Sequence, residues 1–172
     1  MGYGINAAVI EAEIQKAVTW LDFWSDSADV IDLGTPAADV NLPDVVVSGL
    51  PAGVAMVRVV AILKVRAIEN TSSSGANAIS GAQAIRVMKS TGAWGADDLA
   101  AINLADNLWT VAASTREGGD VLIGDNDVKG EVDGDATYNF RSEETNRGDA
   151  ISALADNLEL YDVQVGLRVY YE

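Results

Sequence analysis

Val54-Ala-Met-Val-Arg-Val-Val-Ala-Ile-Leu-Lys-Val-Arg-Ala-Ile-Glu69 is the stretch whose reading decides the fold. In an extended chain successive side chains point to opposite faces, so Ala55, Val57, Val59, Ala61, Leu63, Val65 and Ala67 form one unbroken apolar face. The other face carries Met56, Val60, Ile62 and Ile68, interrupted by Arg58, Lys64 and Arg66. A helix would scatter those cations around its circumference, whereas a strand gathers them on one side. Sixteen extended residues reach roughly 50 Å, well beyond the usual strand of about five or six residues. The stretch predicts a β-sheet protein with a long strand whose second face is neither pure core nor pure solvent surface.

Composition bounds the rest. The 172 residues suffice for one domain with a sizeable core, and an apolar content of 49% is that of a folded chain. Neither Cys nor His occurs. Within these residues that removes disulfides, thiol nucleophiles, the commonest general base and the commonest transition-metal ligand, and with them Ser-His-Asp and Cys-His catalysis. Seventeen Asp and nine Glu oppose four Lys and seven Arg, for a net charge of −15. Such a chain repels nucleic-acid phosphates and anionic membranes, so neither is an expected partner. No apolar run reaches bilayer-spanning length, and the first eight residues lack the basic flank and apolar core of a signal peptide. A soluble protein made in the cytoplasm is the expectation.

Along the chain, residues 5–17 predict a short amphipathic helix or an N-terminal arm, and 18–24 a strand rich in aromatics. Residues 29–33 read as its hairpin or edge partner. Pro43 opens a short strand over 44–48, and Leu50-Pro51-Ala52-Gly53 is a turn into the long strand. Residues 84–89 read as a strand. Asp97-Asp98 ahead of 99–104 suggests a second short helix with acidic residues at its start. Strands are expected again over 108–114, 121–123, 128–132 and 137–141. The last, 158–171, alternates cleanly, with Val163, Val165, Leu167, Val169 and Tyr171 opposite Asp162, Gln164, Gly166, Arg168 and Tyr170. Eight or more strands with one or two short helices predict an all-β fold, an antiparallel β-sandwich of jelly-roll type, with residues 1–172 as a single domain.

Three groups of residues carry candidate chemistry. Asp125 and Asp127, with Asn126 between them, supply the oxygen ligands a calcium ion wants. An EF-hand reading fails because Lys129 and Ala136 stand at ligand positions, and Asp and Gly are equally the residues of hairpin turns. Trp94, set among Gly92, Ala93, Gly95 and Ala96, is the tryptophan best placed in a loop to stack on a sugar ring. Arg58, Lys64 and Arg66 are either a solvated face or an acid-complementing contact with a copy of the chain or another acidic partner.

Leu42-Pro-Asp-Val-Val-Val47, Ser114-Thr-Arg-Glu-Gly-Gly-Asp-Val121 and the segment from Leu158 to Tyr171 carry a resemblance. In them the chain resembles small phage and virus structural proteins of the jelly-roll or β-sandwich kind, which decorate a capsid or build a tail or fibre. The resemblance implies a homo-oligomer bound to other structural proteins, found in the virion or the cytoplasm, with no active site to carry over. The resulting expectation is a non-enzymatic, self-associating subunit. Arg58, Lys64 and Arg66 make its contacts, and Trp20, Phe23 and Trp24 act as aromatic anchors of the core or of a subunit contact. A carbohydrate-binding module using Trp94, calcium-dependent through Asp125 and Asp127, is the second reading.

Overall fold

The computed structural model describes residues 19–33, 40–71, 77–78, 84–95, 98–103, 110–119, 121–142 and 158–172. Among them every regular element is a strand: β1 (Thr19–Trp24), β2 (Ala28–Asp32), β3 (Val40–Val47), β4 (Met56–Lys64), β5 (Ala67–Asn70), β6 (Asn77–Ala78), β7 (Ala84–Lys89), β8 (Leu99–Asn103), β9 (Thr110–Val111), β10 (Thr115–Gly118), β11 (Val121–Ile123), β12 (Ala136–Ser142) and β13 (Leu158–Tyr171). They form two antiparallel sheets packed face to face, the all-β sandwich expected, with a small β6–β9 ladder beside them.

The pairings resolve into eight limbs. β13 takes β1 and β2 in succession along one edge and β4 and β5 along the other. β11 and β10 in turn border β4 and β5. Numbering the limbs along the chain as β1–β2, β3, β4–β5, β7, β8, β10–β11, β12 and β13, one sheet runs 1-8-3-6 and the other 2-7-4-5. First pairs with eighth, second with seventh, third with sixth and fourth with fifth. Among the described residues the limbs thus pair in a nested order and lie in two layers.

In the first sheet the limbs are interrupted at a common level. β1 and β2 are separated at 25–27, β4 and β5 at 65–66, and β10 and β11 at 119–120, while β13 runs through with a φ of +48° at Asp162. Across this line inward residues stand three apart instead of two, Val65 and Ile68 as well as Leu160 and Val163, and within β2, just past the 25–27 gap, Ala28 and Ile31 are spaced alike. An extra residue in each strand shifts the alternation and bends the sheet, as a β-bulge does. The line is stitched by Ser25, whose N–H and hydroxyl reach the Val165 carbonyl at 2.8 Å, and by Arg66 N–H to the Tyr161 carbonyl at 3.0 Å. Gly119 N–H adds a bond to the Arg66 carbonyl at 2.9 Å.

The core lies between the sheets. β4 contributes Val59, Ala61 and Leu63, β13 contributes Val163, Val165, Leu167 and Val169, and the second sheet answers with Leu42, Val45, Val47, Ile85, Val87, Tyr138 and Phe140.

Four expectations are corrected. Leu99–Asn103 is strand β8, not a helix: it pairs with β7 and supplies buried Ala101 and Ile102. Asp98 does not start a helix but accepts from Gly95 N–H at 2.9 Å and pairs with Arg86. Residues 128–132 are a turn, not a strand. Asp127 takes the N–H groups of Val59 and Lys129, the chain curls, and Val132 N–H returns to the Val128 carbonyl at 2.8 Å. Val128 and Val132, four apart, are then both fully buried. Third, β2 does not pair with β1, since both border β13. Last, the 54–69 run is two strands, and beyond the fold line Ile68, not Ala67, faces the core. The helix or arm expected over 5–17 lies outside the described residues.

A mixed aromatic and charged face as candidate interface

Alternation and register assign the solvent-facing side of the first sheet row by row. Trp20 stands opposite Tyr170 and Arg58, Asp22 opposite Arg168 and Val60, and Trp24 opposite Gly166, Ile62 and Ile123. Gln164, Lys64 and Val121 form the next row.

Gly166 is a seat for the Trp24 ring: a Cβ there would lie 2.6 Å from the indole. Lys64 Nζ sits 3.7 Å from the centroid of the same ring, a cation–π contact of about 0.5–1 kcal/mol at a partly exposed site. Arg168 grips Asp22 through two parallel bonds of 2.7 and 2.8 Å. The hydrogen bond from Arg168 holds the Asp22 carboxyl below its ordinary value against a smaller opposing effect of burial, and the same bond raises Arg168. The Arg168 guanidinium lies 5.6 Å from the Trp20 ring, which meets Tyr170 at 6.4 Å. Arg58 Nη2 donates to the Asp125 carbonyl at 2.9 Å. Beneath this canopy Val60 and Ile62 are only 2% exposed, although they point away from the sandwich core. Trp20, Val121 and Ile123 remain 53%, 58% and 58% exposed.

Beyond the fold line the same face turns acidic. Glu159 stands opposite Asp32 and Glu69, and Glu69 opposite Arg116. Arg116 pairs with Glu69 at 3.1 Å and stacks 3.4 Å from the Tyr161 ring. The Tyr161 hydroxyl donates to Glu159 at 2.5 Å, and chiefly that bond pushes the phenol up to about 12.

The residues singled out in the sequence therefore divide. Arg58, Lys64, Trp20 and Trp24 meet on one face. Arg66 stands at the fold line, paired with Asp162 and 74% exposed. Phe23 points the other way and packs against the core. Arg168, Asp22, Gly166 and Tyr170 complete the face, and the alternation of 158–171 was the signal for three of them. Asp127 is engaged by Val59 and Lys129, and Asp125 is exposed. Among the described residues no group of three or more acidic side chains is gathered to hold a metal ion. Trp94 lines a recess on the second sheet with Asn41, Asp44 and Asn139, so the structure does not join it to the 120–135 segment. Among the described residues no helix is long and apolar enough to cross a membrane.

No protein-family model, curated protein or solved structure matches the chain.

Proposed function

We propose that the protein is a non-enzymatic structural subunit that self-associates through the outer face of its first sheet. A virion structural or decoration protein is the instance its resemblance suggests. The observation that carries this reading is the character of that face. Trp20, Trp24, Tyr170, Ile123 and Val121, from β1, β13 and β11, share this one face, whereas isolated exposed apolar residues are ordinary.

Charge distribution favours a second copy as the partner. On one side of the fold line Arg58, Lys64 and Arg168 outnumber Asp22; on the other Asp32, Glu69 and Glu159 outnumber Arg116. A two-fold axis through the fold line lays each cationic half on an acidic half, a self-complementary arrangement despite the net charge of −15. We read the limb order 1-8-3-6 and 2-7-4-5 as that of a jelly roll, an eight-stranded arrangement of two Greek keys, and the nested pairing supports it.

Sedimentation velocity from micromolar to submillimolar concentration tests the proposal. The expected result is a dimer or larger species that weakens with added salt and dissociates in Trp20→Ser and Ile123→Ser. A monomer at every concentration would overturn it.

A further inference from the structure

The other sheet carries a second feature, on the opposite side of the molecule from the face just described. Between Tyr138, opposite Val45, and Phe140, opposite Leu42, the β3–β12 register slips. Two residues, Pro43 and Asp44, therefore stand across from the single residue Asn139. A bulge of this kind re-aims side chains and opens the sheet surface. Here it opens a recess of about 420 Å³, within the range of about 300–1,000 Å³ of small-molecule sites. Leu42 and Phe140 turn inward to the core, so its floor is the sheet itself.

Trp94 forms one wall, and the turn that carries it is fastened at several points. Gly92 N–H bonds the Lys89 carbonyl at 2.8 Å, and Gly95, at a φ of +86°, donates to Asp98. The Asp98 side chain is only 5% exposed and is paired with Arg86 at 3.2 Å. The Arg141 guanidinium lies 4.1 Å from the indole centroid. The rim is formed by the amides of Asn41 and Asn139 and the carboxylate of Asp44.

The chemistry of these groups selects a ligand class. Asp44 at the rim and the net charge of −15 disfavour an anion, and the one guanidinium the described residues place at the Trp94 wall, that of Arg141, is held against the indole. Three polar side chains around one indole disfavour a purely apolar molecule. Planar amides and a carboxylate match pairs of adjacent hydroxyls, and an indole wall matches the C–H face of a pyranose ring. We propose that this recess binds a neutral saccharide of one or two rings, without a metal ion. Trp94 packs on the ring, and Asn41, Asp44 and Asn139 take its hydroxyls. Because the recess and the proposed assembly face lie on opposite sheets, each can hold or fail without the other.

The test uses the full chain on an array of neutral and acidic oligosaccharides, followed by titration of the neutral hits in solution with and without EDTA. Binding to neutral glycans is expected, unchanged by EDTA. It should weaken about tenfold or more, or 1.4 kcal/mol, in Trp94→Ala and in Asn139→Ala. Asn139 is a partly exposed outer-face residue, so its variant tests the site even where Trp94→Ala disturbs the turn. Trp20→Ser is expected to bind as the parent does. Silence across the neutral glycans at millimolar concentration, binding that survives both recess variants, or binding confined to acidic glycans would each overturn the proposal.

Discussion

The fold line makes two neighbouring glycines unequal, and the difference is large enough to measure. A Cβ on Gly118 would meet nothing within 4 Å, whereas a Cβ on Gly119 would lie 2.2 Å from the Val65 carbonyl oxygen and 2.7 Å from its carbon. Both atoms belong to backbone, so no side chain can swing aside. Reaching an ordinary contact of 3.4 Å requires a separation of about 1.2 Å, taken from the 2.9 Å bond between Gly119 N–H and the Arg66 carbonyl. Losing that bond costs about 1 kcal/mol, and the local overpacking about 1–3 kcal/mol more. Gly119→Ala is therefore expected to destabilise by about 2–4 kcal/mol, a fall in midpoint temperature of roughly 5–15 °C for a chain of this size. Gly118→Ala should be neutral or stabilise by up to about 1 kcal/mol, because alanine restricts the unfolded chain. Urea titration followed by tryptophan fluorescence reads both variants on one scale. Equal midpoints, or a larger loss in Gly118→Ala, would show that the sheet does not approach itself closely at this line.

Three further outcomes follow from the polar groups. Tyr138→Phe keeps a fully buried ring but removes a hydroxyl that donates to the Gly134 carbonyl at 2.8 Å and accepts from the N–H groups of Asp133 and Gly134, so equilibrium unfolding should show a loss of about 1–2 kcal/mol. Asp22 and Asp133 both titrate below the ordinary carboxylate value, so the unfolded chain takes up their protons first; the stability they lend is full above about pH 4 and fades as pH falls through their lowered values. Acid titration of Asp22→Asn should accordingly show a shallower decline than the parent, with a loss at neutral pH of no more than about 1 kcal/mol for a pair this exposed. Tyr161, raised to about 12, should ionise well above the ordinary phenol value of about 10 in an alkaline ultraviolet titration, and Glu159→Gln should bring that late step down; an unmoved step would refute the assigned hydrogen bond.

The sandwich was legible because alternation is a local property. Residues 158–171 and 84–89 have the strand boundaries their sequences predict, and the apolar run around Ala61 supplies the core as its period requires. What alternation cannot announce is a change of phase. Nothing in Val65-Arg66-Ala67 marks an inserted residue, because the break follows from Asp162, Ser25 and Gly119, which join it only through long-range pairing. For the same reason strict alternation groups Arg66 with Arg58 and Lys64, whereas at the bend it pairs with Asp162. The reading of 99–104 as a helix rested on acidic residues at its start, and strand pairing with β7 overrode that weak propensity. The Trp94 recess was half visible. An indole among glycines signals a turn, but its neighbours Asn41, Asp44 and Asn139 come from two other strands and meet it only at a bulge.

The fold line also bears on how the two layers are joined. β13 is 14 residues long, while the strands of the second sheet run from 5 to 8, so the first sheet outreaches the layer beneath it. Beyond the line part of the cover changes: β5 and β10 meet β9, and buried Asn70 sends its side-chain N–H to the Val111 carbonyl at 2.9 Å. The β6–β9 ladder sits in the nested order between the pair β4–β5 with β10–β11 and the pair β7 with β8. It is the rung that lies, in sequence, between the strands of one sheet and those of the other. A straight first sheet would carry its far half past that rung, whereas the extra residue in each limb returns Ile68 and Leu160 to the core side. The same bend separates the cationic rows of the outer face from the acidic ones, and, on the proposed self-association, a variant that straightens the line is expected to disturb packing and assembly together.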